Sequence, residues 1–193
     1  MKTLLKTGLE KFITFFCIGC LFIVPTSFAQ EAGKIRAGFD IGCLTPRYMN
    51  GQGFGGFGFC GATEMRYNLQ DNMNVGLKAE VTEFLKHKDY VADVLSFSVT
   101  YDYYFHYKGS RNAPFIGAGL GYFYCVAWDY QSNPYNYKYS NPTCFLRTGF
   151  EFQKFRVSFA YNLIRNSIVE EYSRNNDYLS LSFGFYIGGG KWK

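Results

Sequence analysis

Histidine is almost missing from this chain: His87 and His106 are the two it has in 193 residues. No histidine pair stands at metal-ligand spacing, and the cysteines are too scattered to make a zinc site without one, so no metal or other cofactor is expected. Long apolar runs are missing too. Past the N-terminal segment none is long enough for a helix to cross a bilayer, so no spanning helix is expected there. Charge is sparse, at 18% of residues and a net +5, and so mild a surplus argues against a nucleic-acid partner. No repeat of solenoid period, low-complexity tract or linker divides the chain, so it reads as one domain.

What the chain has instead is aromatic residues and glycine, with 21 Phe, 17 Tyr and 21 Gly. It opens on a leader. Lys2, Lys6 and Lys11 form a basic start, 12–24 an apolar stretch broken by Pro25, and Ser27-Phe28-Ala29 a small-residue cleavage signal. Residues 1–29 are therefore expected to leave as a secretory signal peptide, with 30–193 as the mature domain. Export leads to an oxidising compartment, and Cys43, Cys60, Cys125 and Cys144 travel with the mature chain. Spacing favours the pairs Cys43–Cys60 and Cys125–Cys144, each closing a hairpin. Alternation puts the members of each pair on opposite faces, so free or otherwise paired thiols stay open.

Strict alternation governs the rest. From Met73 to Glu83, Val75, Leu77, Ala79 and Val81 share one face while Asn74, Gly76, Lys78, Glu80 and Thr82 share the other. The preceding strand mirrors it across the turn Gln70-Asp71-Asn72, with Glu64 expected opposite Lys78. A two-residue turn at Gln153-Lys154 likewise sets Glu151 opposite Arg156. Read through, the chain yields eight antiparallel strands of bilayer-crossing length, with mostly longer connections at one end and shorter turns at the other. The expected fold is all-β, an eight-stranded antiparallel up-and-down transmembrane β-barrel.

Polarity decides which face is inside. The apolar faces carry Phe, Tyr, Leu, Val and Ile. The opposite faces carry Arg36, Asp40, Glu64, Arg66, Lys78, Glu80, Asp102, Arg147, Glu151 and Arg156, five acids and five bases. A water-soluble barrel would have to bury those charges while wetting its aromatic side. In a membrane, lipid takes the aromatics and the charges pair in a lumen narrow enough for side chains to fill. Glycines at period two, Gly117, Gly119 and Gly121, are expected on the lumen face, leaving room for long neighbours.

The segment from Glu64 to Glu80, the closing stretch from Ser180 to Gly190 and the leader end Phe28-Ala29-Gln30 resemble small outer-membrane β-barrels of the OmpX/OmpA-transmembrane-domain type, and most of all the outer-membrane β-barrel domain family of Bacteroidetes. The resemblance covers the mature chain and implies a bacterial outer-membrane location, with lipid, lipopolysaccharide and the outer-membrane assembly machinery as partners. It carries no shared catalytic residues. One departure is the end, Lys191-Trp192-Lys193, where many such barrels finish on an aromatic residue.

For function, the outward loops are the candidate binding surface. The stretch from Asp129 to Pro142 holds Tyr130, Tyr135, Tyr137 and Tyr139 beside Trp128, a composition suited to an extracellular protein or glycan. A structural or interaction role is expected. The alternatives are a narrow channel for ions or small solutes and, last, a lipid-modifying enzyme. For the enzyme, His106 falls at the wrong end and His87 sits in a charged loop, Lys86 to Tyr90, without a placed nucleophile. The chain is therefore read as no enzyme.

Overall fold

A computed structural model describes residues 31–46, 56–87, 90–105, 112–129, 136–164 and 177–189. The expected leader, 1–29, lies outside them, as does His106. Eight strands follow in order: β1 (Ile35–Pro46), β2 (Phe57–Gln70), β3 (Met73–His87), β4 (Tyr90–Tyr104), β5 (Asn112–Asp129), β6 (Asn136–Phe152), β7 (Phe155–Ile164) and β8 (Tyr178–Gly188). Each pairs antiparallel with the next, and β1 pairs with β8, so the sheet closes on itself. Closure leaves no edge within the ring, which is what a sheet surrounded by lipid requires.

The registers set the tilt. Following paired residues from Arg36 through Arg66, Gly76, Thr100, Gly119, Phe145, Asn162 and Tyr178 returns to β1 at Pro46, ten positions further on. That stagger across eight strands inclines them by roughly 40° to the barrel axis. At that tilt the 10 residues of β7, the shortest strand, rise about 25 Å, the height of an apolar membrane band.

Both cross-strand expectations hold: Glu64 faces Lys78, and Glu151 faces Arg156. At the first turn the ladder slips between Asn68 and Gln70, so Leu69 is left over as a bulge before Asp71 and Asn72. Three connections differ from expectation. β6 begins at Asn136, so Tyr137 and Tyr139 stand in a strand, opposite Ala127 and Cys125, and not in a loop. β3 runs to His87, paired with Tyr90, so Lys86, His87 and Tyr90 of the expected charged loop stand in strands. The sequence also reads as a turn from Lys108 to Asn112, yet Asn112 opens β5. In each case hydrogen bonds to a neighbouring strand outweigh the local polarity that suggested a loop.

The tightest hairpin carries visible strain. Gln153, in the turn between β6 and β7, has φ of 55°, where a Cβ is unfavourable. Gln153→Gly is expected to raise unfolding stability by roughly 1 kcal/mol, read as a higher urea midpoint in detergent.

Polarity is inverted relative to a soluble barrel. The outward side chains are apolar and open: Leu120 is 71% exposed, and Ile41, Leu77, Phe97, Val99, Leu146 and Phe183 are similarly bare. Tyrosines lie toward the ends of this belt. Toward one end Tyr161 donates from its hydroxyl to Asp177 (3.0 Å), and Tyr122 meets Ser140 Oγ (3.2 Å), so each ring lies on the apolar side and its oxygen on the polar side. Glu83 and Asp93 face each other on the outward surface near the same end and bound the belt there.

Candidate functional site

Alternation turns every second residue inward, and the lumen is where the ten expected charges meet. Nine are buried, and Lys78 retains 13% side-chain exposure. Their partners are not the ones that register alone suggests. Glu64 lies opposite Lys78 yet binds Arg66 and, across the lumen, Arg147 (2.7 Å). Glu151 lies opposite Arg156 yet binds Arg36 (2.5 Å). Inward side chains of a narrow barrel converge on the axis, so a residue several strands away can be nearer than its ladder neighbour.

Two groups result. In the larger, Arg147 grips Asp102 with Nε and Nη2 (2.8 and 2.9 Å) while also holding Glu64. Arg156 reaches Asp102 (3.2 Å) and stacks over Phe115 (3.7 Å to the ring centre). Asp40 joins through Tyr186, whose hydroxyl donates to it (2.6 Å) and accepts from Arg66 (2.6 Å). Four arginines thus meet four carboxylates, Arg36, Arg66, Arg147 and Arg156 against Asp40, Glu64, Asp102 and Glu151. The second group is Lys78 with Glu80, which also accepts from Tyr178 (2.6 Å) and Thr82 (3.3 Å).

Glycines make the room. A Cβ on Gly117 would sit 2.0 Å from Asp102 Oδ1, and one on Gly184 2.0 Å from Asp40 Oδ1. At Gly119 the space goes to an aromatic neighbour, because a Cβ there would meet the Phe145 ring at 2.3 Å.

Sequence reasoning passed over two layers that close the lumen. Leu44, Cys60, Val94, Phe123, Cys125, Ile164 and Tyr178 form a buried apolar cluster beyond the Lys78–Glu80 pair. Tyr104, Ala113 and Phe115 close the opposite end, where β1 begins and β8 finishes. Parity could have found both, since Leu44, Val94, Tyr104 and Ile164 share their strands' inward positions. Between the apolar cluster and the charges lies a cavity of about 10 Å³, lined by Lys78, Glu80, Ser98, Phe145, Asn162 and others, which has room for about one water. At the end where β1 begins, Asn68 Nδ2 donates to the carbonyls of Glu31 (3.1 Å) and Gly189 (3.3 Å), tying the segment before β1 to the residue after β8.

The hairpin disulfides do not fit this geometry. Gly42, not Cys43, faces Cys60, and adjacent positions on a strand point to opposite faces, so Cys43 is directed to lipid and Cys60 to the lumen. Cys43, Cys60 and Cys144 are free thiols. Cys144 faces Leu120 while Cys125 faces Tyr139, five positions on, which separates them by about 17 Å along the strands, beyond disulfide reach. Burial drives the Cys60 thiol out of reactivity. Of the expected loop residues, Trp128 falls on β5, Tyr137 and Tyr139 fall on β6, and Tyr130 and Tyr135 lie outside the described residues. Among the described residues no cluster of His, Cys, Asp and Glu could hold a metal ion.

A closed antiparallel cylinder with lipid-compatible walls and a paired, buried charge core defines an integral β-barrel of the small outer-membrane class. No family model and no curated protein sequence matches the chain. Among solved structures it is similar to Neisserial surface protein A, with TM-score 0.64 and 14% identity over 81% of this chain and 97% of that one. It is also similar to the N-terminal barrel domain of Pseudomonas aeruginosa OprF (TM-score 0.49, 14% identity, 82% and 100% coverage). A third likeness is to Ail of Yersinia pestis (TM-score 0.48, 14% identity, 81% and 100% coverage). The first of these likenesses shows a shared fold, a small closed eight-stranded barrel.

Proposed function

We propose that this barrel is a non-conducting outer-membrane scaffold whose role is structural and interactive, exerted through the segments at its outer end. The observation that supports this most is the filled lumen: a charge-paired middle, an apolar cluster beyond it, and between them space for about one water. An ion path needs continuous wet space, and desolvating an ion to cross the apolar cluster is costly. β5 and β6 pair out to Trp128 and Asn136, whereas the β6–β7 ladder stops at Thr143 and Ile164. The β5–β6 hairpin therefore projects past the β7 rim, carrying Tyr137 and Tyr139 toward a protein or glycan partner. Lipid and lipopolysaccharide surround the wall, and the outer-membrane assembly machinery inserts it. No catalytic role is assigned, because His87 is a strand residue with no nucleophile set beside it in the sequence.

In planar bilayers, the mature protein, refolded in detergent and checked for heat-modifiable migration, is expected to give no unit conductance. Discrete openings that change on Glu64→Gln or Arg66→Gln would overturn this reading in favour of a narrow channel.

A further inference from the structure

The lumen contains one arrangement twice. Asp102 of β4 faces Gly117 of β5, which in turn faces Arg147 of β6. Asp40 of β1 faces Gly184 of β8, which in turn faces Arg156 of β7. In each row an acid and an arginine stand two strands apart with a glycine between them. In each the carboxylate leans over the glycine, since a Cβ on Gly117 or Gly184 would collide with Oδ1 of its acid. The missing side chain is what lets a short acid reach across an intervening strand.

The first row is closed. Arg147 donates from Nε to Oδ1 of Asp102 (2.8 Å) and from Nη2 to Oδ2 (2.9 Å). The second row is open. Nε and Nη2 of Arg156 and Oδ1 of Asp40 have no hydrogen-bond partner within the protein. These are the same donor nitrogens, and the same leaning oxygen, that the first row joins. Neither Arg156 nor Asp40 is more than 6% exposed, so bulk water does not serve them.

The arginines are also shared unevenly. Asp102 has three within 4 Å: Arg147, Arg156 (3.2 Å) and Arg66 (3.8 Å). Among the described residues Asp40 accepts from the Tyr186 hydroxyl alone (2.6 Å). On Asp102, Arg156 makes one charge-assisted hydrogen bond through Nη1 and lies over the face of Phe115. On Asp40 it would make two such bonds, through nitrogens that now have no partner. A single bond with a cation–π contact and a two-bond fork are comparable in strength. Asp102 loses little by the move, because Arg147 still grips both of its oxygens. With Arg156 on Asp40, each acid of the larger group has an arginine of its own: Arg147 for Asp102, Arg66 for Glu64 and Arg36 for Glu151.

We propose that Arg156 has two berths, one on Asp102 and Phe115 and the other on Asp40 across Gly184, and that its guanidinium exchanges between them. The exchange carries one positive charge from the β4 side of the lumen to the β1 side while the lumen stays filled. The charge core is therefore a two-state element and not a fixed plug.

Two measurements test this on the full mature barrel in detergent. In the wild-type crystal structure Arg156 is expected in two conformers, one of them with Nε and Nη2 within hydrogen-bond reach of Asp40. A single conformer, on either acid alone, would overturn the exchange. The second measurement is a double-mutant cycle of Asp40→Asn and Arg156→Gln, read by urea unfolding. The two changes are expected to be coupled by about tenfold in the unfolding equilibrium constant. The coupling is expected to persist in a Tyr186→Phe background, which removes the hydroxyl that also touches Asp40. Effects that simply multiply, or a coupling that disappears with that hydroxyl, would show that Asp40 and Arg156 do not meet. The wild-type map decides the question even if none of the variants folds.

Discussion

Glu64→Ala is expected to lower the unfolding free energy by about 3–5 kcal/mol, the range for breaking a buried ion pair from one side. Glu64 is 2% exposed and accepts from Arg66, from two nitrogens of Arg147 (3.1 and 2.7 Å) and from Thr100 (2.6 Å). Removing it takes from Arg66 its nearest carboxylate and leaves Arg147 with Asp102 alone, in a space that water can barely enter. Since domains are commonly stable by only about 5–15 kcal/mol, the loss is a large share of the total. Urea titration of the refolded barrel, followed by loss of the heat-modifiable band, reads it directly. Thr100→Val, which deletes a single hydroxyl bond to the same carboxylate, sets the scale at about 1 kcal/mol. If both variants cost the same, Glu64 is solvated and the lumen is wet.

Leu120→Arg is expected to cost about 2–4 kcal/mol in lipid, although Leu120 is the most exposed of the large apolar residues, at 71%. In a water-soluble protein an arginine there would be close to neutral. Here the exposed face meets hydrocarbon, and Leu120 sits in mid-wall, between Val99 of β4 and Cys144 of β6. Depth supplies the control. Tyr124, further along the same face of β5, is nearer the rim, and Tyr124→Arg is expected to cost no more than about 1 kcal/mol because the side chain reaches water. Equal penalties at the two positions, measured as unfolding free energies in lipid vesicles, would mean that the wall does not face a bilayer.

Much of the fold could be read from alternation because a strand's two faces are fixed by local geometry alone. Val75, Leu77, Ala79 and Val81 go one way whatever the rest of the chain does, and Glu64 opposite Lys78 follows from counting back from one turn. The same logic failed where strands outlast their sequence signal. Nothing local marks Asn136 to Pro142 as strand. It is strand because β5 extends alongside with open hydrogen-bonding groups.

The sequence by itself determined the eight strands, their pairing in order, the inward direction of the ten charged residues and hence a membrane wall of Phe, Leu and Val. Each of these depends on spacing along the chain. Only the tertiary structure decided that Glu64 binds Arg147 instead of its ladder neighbour Lys78, that Tyr104, Tyr178 and Tyr186 serve the carboxylates, and that Leu44, Val94, Phe123 and Ile164 close one end. It also separated the cysteines that spacing had brought together. These contacts run across the barrel axis. The closing radius and the ten-position stagger set them, and both are properties of the whole ring that no single strand or hairpin encodes.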